Sequence, residues 1–379
     1  MHVIDTLNLG GAERFLVGLV KALDSERFQP IVVWVSESGP FVQDLERAGI
    51  EVIGLHARGH RDPSTLFKLV RLMRERNVQV VNTYLFVDGF YARLAALLAG
   101  VPLRVVTQQS AYEDPRLRLP AWQIWLNRAL VPITQQFVAV SRAARDYLHR
   151  VEWVPERKIE VIPNAIEPPP PVAEEDVRAL RRAWGLDDFG GIVLGTVARL
   201  EPPKGVDILL EAVGILHQRG MDVRCVIVGE GSCRQELEAQ ARALGISDVV
   251  RFAGARRDIP LILSLLDIFV LPSRFEGLSL ALLEAMAAAR PVVATAVSGS
   301  VEVIRDGENG VLVPREDPAM MAEAIRQLAV TPERAQQMGE QARSDVLRHF
   351  TVDVVARQYE ALYARRLRAH DRTGSPIAP

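Results

Sequence analysis

Short β-branched runs alternate with longer segments of helical periodicity twice along this chain, and the alternation breaks once, at Pro168, Pro169, Pro170 and Pro171. In the first half a strand ahead of Gly10 is followed by strand-like runs at 31–35, 52–55, 78–81, 103–106, 137–140 and 159–162. Helical segments at 12–23, 40–48, 63–76 and 90–99 lie between them. Such alternation argues for a parallel sheet covered by helices on both faces. The prolines continue neither a helix nor a central strand and mark a hinge. Beyond them the pattern resumes, with runs at 192–197, 223–228, 249–252, 268–271, 292–294 and 311–313. The chain reads as two doubly wound α/β domains, 1–165 and 166–347, then an amphipathic segment at 348–369 and a polar, disordered tail at 370–379. A single core seldom grows past ~250–300 residues, so 379 residues suit two domains.

Composition narrows the function. With 49% hydrophobic and 24% charged residues the chain is a soluble globular type, and a net charge of −2 gives no basis for nucleic-acid binding. Cys225 and Cys233, with no histidine at ligand spacing, read as free thiols. No metal site or disulfide is expected, and a reducing, cytoplasmic setting fits. No signal-peptide pattern and no run of eighteen apolar residues without a charge is found, so neither export nor membrane spanning is expected.

The most informative stretch is 271–291, LPSRFEGLSLALLEAMAAARP. Residues 278–289 are apolar on every side at helical spacing, which implies burial. Glu284 lies within them, and a carboxylate in a dry interior needs a partner or a wet cavity. Glu276 lies in the turn leading in, so two acids bracket the first turns of a helix whose free N–H groups attract anions. That pattern suits a ligand of sugar rings joined by phosphate. Equally, Glu276 could cap the helix while Glu284 pairs with a buried arginine.

Three other places carry chemistry. Gly10 and Gly11 precede a helix, where they either let a ligand approach the carboxyl edge of a strand or simply make a tight turn. Arg199 and Lys204 follow the 192–197 strand in ARLEPPKG; they either neutralise a diphosphate or are solvated loop cations. Arg116, Arg118 and Arg128 interleave with Trp122 and Trp125, in a segment that either lies on an anionic membrane or packs its tryptophans into the domain. Gly229-Glu230-Gly231 is no dinucleotide fingerprint, because Arg234 holds the third glycine position.

FEGLSLALLEAMAAARPVVAT resembles the paired-glutamate signature of the retaining GT-B glycosyltransferases of family 4, "glycosyl transferase group 1". The resemblance implies two Rossmann-like domains facing across a cleft, an acceptor-side domain first and a donor-side domain second, with the C-terminal helix crossing back to the first. It implies that Glu276 touches the transferred sugar, that Gly277, Leu278 and Ser279 meet the diphosphate through their backbone, and that Glu284 holds the ribose hydroxyls. Arg199 and Lys204 match the family's donor-phosphate cations, Gly10 and Gly11 its phosphate-side loop, and Val250 and Arg251 its nucleobase-side loop. Ser141-Arg142 resembles the family's Ser-Arg at a helix start, where Ser141 reads as a cap. The chain departs from the pattern in two places. Where several members carry a histidine near the acceptor, it has Gln108, Gln109, Ser110 and Tyr112, and Asn164-Ala165 stands for the usual Asn-Gly.

The implied activity is metal-independent, retaining transfer of a sugar from a nucleoside diphosphate sugar such as a UDP-sugar to a glycan, lipid-linked or small-molecule hydroxyl, as in polysaccharide biosynthesis. Arg199, Lys204 and the helix end would take the leaving charge. The co-substrate is the only cofactor-like ligand expected, and peripheral contact with the inner face of a membrane is left open. A nucleotide-sugar 2-epimerase of the same fold and a non-catalytic nucleotide-sugar binder are the alternatives.

Overall fold

The computed structural model describes residues 1–57, 62–84, 86–109 and 119–372. They form two compact units, Met1–Glu167 with the segment from Phe350 onward, and Pro168–His349.

In the first unit β1 (His2–Thr6), β2 (Ile31–Glu37), β3 (Glu51–Gly54), β4 (Val80–Thr83), β5 (Leu103–Gln108), β6 (Gln136–Ala139) and β7 (Ile159–Val161) make one parallel sheet in the order β3-β2-β1-β4-β5-β6-β7. Valine-rich strands suit this position because the sheet is covered by helices; Val3, Val33, Val81 and Val105 are fully buried. β4 lies two residues later than the sequence pattern places it. Asn82 and Thr83 look like turn residues, yet both are buried. Asn82 donates to the Tyr363 hydroxyl at 3.1 Å and accepts from Thr107 at 3.0 Å, and these long-range bonds satisfy it inside the sheet.

Tyr363 belongs to the helix Val352–Arg372, which lies on this unit with Tyr359 and Tyr363 buried. The preceding helix, Pro332–His349, ends where the sequence pattern suggests one continuous segment. Phe350 and Thr351 interrupt it because Ile166 donates to the Phe350 carbonyl at 2.9 Å and Val352 donates to the Ile166 carbonyl at 3.0 Å. The expected tail boundary at 370 falls inside the last helix, which continues to Arg372; residues 373–379 lie outside the described residues.

In the second unit β8 (Ile192–Val197), β9 (Val223–Val228), β10 (Val250–Gly254), β11 (Ile268–Leu271), β12 (Val292–Thr295) and β13 (Val311–Val313) form a parallel sheet in the order β10-β9-β8-β11-β12-β13. Each sheet has one point where chain order reverses, between β1 and β4 in the first and between β8 and β11 in the second. Ligands of such folds bind outside the carboxyl ends of the strands at that point. Both cysteines are free; burial pushes the Cys225 thiol up to about 12. Among the described residues no helix is long and apolar enough to cross a membrane.

Candidate active site

The chain leaves β8 through residues 198–205 and β11 through 272–279, the two loops that flank the reversal point of the second sheet. Lys204 closes a short 3-10 turn, Pro202–Lys204, and Gly205 follows at φ +63°. A side chain at Gly205 would put its Cβ 2.1 Å from the Pro272 carbonyl oxygen, so the two loops touch backbone to backbone only because that residue is glycine. Their contact brings Lys204 Nζ to 2.7 Å from Glu276 Oε1. Ser273 donates to the same oxygen at 2.8 Å. Glu276 is 8% exposed and Lys204 23%, so the pair is sheltered but opens to solvent on the lysine side.

The rest of Glu276 is held as closely. Its carbonyl accepts from Ser298 Oγ at 3.0 Å and from the Gly299 N–H at 3.2 Å, which anchors the turn to the loop after β12. Glu276 is not a helix cap. Ser279 does that, its hydroxyl accepting from the Leu282 N–H of the helix Leu280–Ala287. Glu284 lies half-buried on the second turn of this helix, while Leu280, Leu282, Leu283, Ala285, Met286 and Ala287 are buried. The apolar, β-branch-free composition makes the helix, and its N-terminus faces the carboxyl edge with Gly277, Leu278 and Ser279 leading in.

Arg199 sits exposed between Ala198 and Leu200. Its loop is fastened to the one after β9. Leu200 donates to the Glu230 carbonyl at 2.9 Å, and Glu201 accepts from the Ser232 N–H at 3.1 Å and from its hydroxyl at 2.7 Å. Those bonds from Ser232, helped by the charge of Arg199, hold the Glu201 carboxyl below its usual range. Arg274 ties the other side. Its Nη1 and Nη2 meet Asp207 at 2.8 and 2.7 Å, and its Nε and Nη2 meet Glu316 at 2.7 and 3.1 Å. Hydrogen bonding to Asp207 first, then to Glu316, raises the Arg274 guanidinium. Burial alone would push the Asp207 carboxyl up, but the bonds and charge of Arg274 bring it down.

Gly10 and Gly11 lie at the reversal point of the first sheet, between β1 and the helix Gly11–Ala22. A Cβ on Gly10 would meet the Glu13 carboxylate at 2.1 Å, because Glu13 folds back over the helix start and accepts from Thr6 at 3.3 Å. Around Gly11 there is open space, so the domain's own packing does not require glycine there.

Val250 and Arg251 are not brought to either edge loop. They pair with Cys225 and Val226, whereas the carboxyl end of β10 is Gly254, level with Val228. Three further residues of strand separate Arg251 from that end, about 10 Å. Arg251 instead donates to the Trp184 carbonyl at 3.3 Å, and both residues line an open cavity of about 580 Å³ beside Trp184 and Arg224. Resemblance in the strand's sequence drew attention to its amino half, while parallel register puts the ligand edge at its other end.

Ser273, Arg274, Ser298 and Gly299 were missed from sequence. Ser273 and Arg274 stand beside Glu276 and could have been flagged by adjacency; nothing local announces that Arg274 reaches Asp207 and Glu316. The tryptophans are not packed inside. Trp122, Trp125 and Trp153 are 55%, 59% and 58% exposed, and Arg128 lies 4.7 and 3.5 Å from the Trp125 and Trp153 ring centres. Ser141 accepts from the Ala144 N–H at 3.1 Å as a helix cap. Arg116, Arg118, Ser110 and Tyr112 lie outside the described residues. Among the described residues no group of three or more His, Cys, Asp or Glu side chains is placed to hold a metal ion.

Comparison with known proteins matches both halves. The model of "Glycosyl transferases group 1" covers residues 180–345 and that of "Glycosyltransferase Family 4" covers 9–168. The chain is similar to an alpha-D-kanosaminyltransferase of Streptomyces kanamyceticus, 31% identical over 340 residues and 86% of each chain. It is 27% identical over 321 residues, 82% of each chain, to the UDP-Gal:alpha-D-GlcNAc-diphosphoundecaprenol alpha-1,3-galactosyltransferase of Escherichia coli. Its fold matches the crystal structure of Anabaena HepE in complex with UDP-glucose, with a TM-score of 0.83, 23% identity, 96% of this chain and 100% of that one covered. By its two matched halves, by a relative 31% identical over 86% of each chain and by its two Rossmann-like domains, this chain belongs to the GT-B glycosyltransferases of family 4.

Proposed function

We propose that this chain moves a sugar from a nucleoside diphosphate sugar to a hydroxyl acceptor, with retention at the anomeric carbon and without a metal ion. The observation that carries the reading is the Lys204–Glu276 contact, held at the carboxyl edge of the second sheet beside the N-terminus of the helix Leu280–Ala287. Cleavage of the glycosyl–phosphate bond leaves negative charge on the diphosphate. An ammonium has three donors and Lys204 uses one on Glu276, so two can turn to phosphate. Arg199 and the backbone of Gly277, Leu278 and Ser279 at the helix start add to that stabilisation, which takes the place of a metal.

Among the described residues the side-chain bonds to Glu276, from Lys204 and Ser273, fall on Oε1, and in the donor complex Oε2 takes a sugar hydroxyl. Glu284, one and a half turns into the helix from Ser279, takes the ribose hydroxyls. Gly10 and Gly11, at the reversal point of their own sheet, admit a phosphate close to the backbone. Retention follows from attack on the face the phosphate leaves, the phosphate oxygen accepting the acceptor's proton; the carboxylates bind hydroxyls and form no glycosyl ester.

UDP-sugars are the first donors to test, because the HepE structure holds UDP-glucose and the Escherichia coli relative is named for UDP-Gal. A donor bound only by the folded state raises the melting temperature. Screening UDP-, GDP- and ADP-sugars by melting, and then reading the anomeric coupling constant of the product, tests the proposal. Inversion, or loss of turnover with EDTA, contradicts it; conversion of a nucleotide sugar with no acceptor present identifies an epimerase instead. Glu284→Ala is expected to weaken donor binding by about 10–100-fold, since hydrogen bonds to a charged acceptor contribute about 1.5–3 kcal/mol. Titration calorimetry with the donor checks it.

The acceptor we propose is a glycan or lipid-linked hydroxyl, presented at an anionic membrane surface. Support comes from the exposed Trp122, Trp125 and Trp153, from Arg128 between two of them, and from the helix Ala121–Leu130, which carries no acid. The name of the Escherichia coli relative, with its diphosphoundecaprenol acceptor, points the same way. Cosedimentation should show binding to vesicles containing phosphatidylglycerol and little to pure phosphatidylcholine. Trp125→Ala/Trp153→Ala should lower the partition coefficient about tenfold, equivalent to about 1.4 kcal/mol. Equal sedimentation of wild type and variant would remove the tryptophans from the interface.

A further inference from the structure

Lys204 meets Glu276 although neither residue's own element directs it there: one ends a 3-10 turn and the other sits in an irregular turn 72 residues later. Beside the close approach of Gly205 to Pro272, bonds from Arg274 tie the two loops together. Its backbone N–H donates to the Pro203 carbonyl at 2.8 Å. Its Nη1 donates to the Pro202 carbonyl at 2.8 Å, so one residue holds the two positions just before Lys204. The same guanidinium grips Asp207, three residues after Lys204, with two bonds of 2.8 and 2.7 Å. On its far side it is held by Glu316, from the loop after β13.

We infer that Arg274 is a positioning residue for the donor-phosphate cation: it clamps the chain on both sides of Lys204 so that the ammonium stands between Glu276 and the departing phosphate. This rests on the Lys204 reading given above. A planar fork can bond a carbonyl and a carboxylate in fixed directions, which a lysine ammonium cannot. The clamp contributes little by itself to folding, because Arg274, Asp207 and Glu316 are 25%, 38% and 56% exposed and ion pairs that wet are weak. What it does fix is where the ammonium sits.

The test is a double-mutant cycle on the full chain with a donor identified by the melting screen, reading kcat, KM for the donor and the melting temperature. Arg274→Ala is expected to lower kcat/KM by about 10²-fold, the effect of displacing a catalytic group by about 1 Å. Arg274→Lys should recover less than a tenth of that loss. In a Lys204→Ala background, Arg274→Ala should change kcat/KM by less than about twofold, because residues acting through one group are not additive. Losses that multiply in the double variant, or an Arg274→Ala protein with wild-type kinetics beside an inactive Lys204→Ala, overturn the positioning role alone. Wild-type turnover in Lys204→Ala overturns the phosphate reading beneath it. If Arg274→Ala does not fold, Glu316→Ala releases the guanidinium from its exposed side; a fall in kcat/KM of about threefold or more, within the scale of losing one surface ion pair, upholds the inference, and unchanged kinetics sinks it.

Discussion

Lys204→Ala is expected to lower kcat by about 10²–10³-fold, the usual effect of removing one preorganised donor from a developing anion. The substitution also strands Glu276, a carboxylate only 8% exposed whose remaining side-chain bond is from Ser273. Breaking a fully buried pair from one side costs about 3–5 kcal/mol. Because the Lys204 side chain is 23% exposed, water relieves part of this, and about 1–3 kcal/mol is the expected loss of stability. Activity and stability therefore fall together, and a second variant separates them. Lys204→Ala/Glu276→Gln removes the stranded charge and should regain most of the melting temperature while kcat stays low. Recovery of kcat in that double variant would mean that Lys204 serves only to neutralise Glu276, and the phosphate role would be withdrawn. Single-turnover rates with saturating donor, run beside a thermal melt, decide the matter.

The sequence pattern announced what local chemistry determines and was silent where distant partners decide. Runs such as 192–197 and 268–271 coincide with β8 and β11 because a strand buried on both faces reads as a nearly continuous apolar run, a property visible in four to six residues. Glu276 and Glu284 were legible for the converse reason, acids in an apolar neighbourhood. The pattern puts β4 too early because Asn82 is satisfied in a sheet interior by Thr107 and Tyr363, 25 and 281 residues away. Arg274 carries no local signal, because its partners Asp207 and Glu316 are 67 and 42 residues distant. Val250 and Arg251 show another limit of the sequence pattern. Alternation identifies a strand but not which of its ends carries the ligand, and only the parallel register with β9 shows that Gly254 is the edge residue.

Gly229→Ala is expected to be the most damaging single-methyl substitution at this edge. Gly229 has φ +136°, a conformation that L residues with a side chain rarely adopt, and an added Cβ would stand 1.9 Å from the Ala198 carbonyl oxygen. That oxygen cannot retreat freely, because Ala198 donates to the Val228 carbonyl at 3.0 Å and the next loop residue but one, Leu200, donates to Glu230 at 2.9 Å. Strained backbone alone costs about 1–3 kcal/mol, and with the collision about 3 kcal/mol or more is expected. For a unit of this size that lowers the melting temperature by roughly 6–12 °C, read by calorimetry. Arg199 sits on the displaced segment, so donor affinity should fall with stability. Gly11→Ala provides the contrast: with open space around Gly11, and alanine restricting the unfolded chain more than glycine does, its melting temperature should hold or rise. A raised KM for the donor in Gly11→Ala, with the fold intact, would then show that glycine is kept there for a ligand, whereas at Gly229 it is kept for the fold; unchanged kinetics in Gly11→Ala would withdraw the ligand role of Gly11.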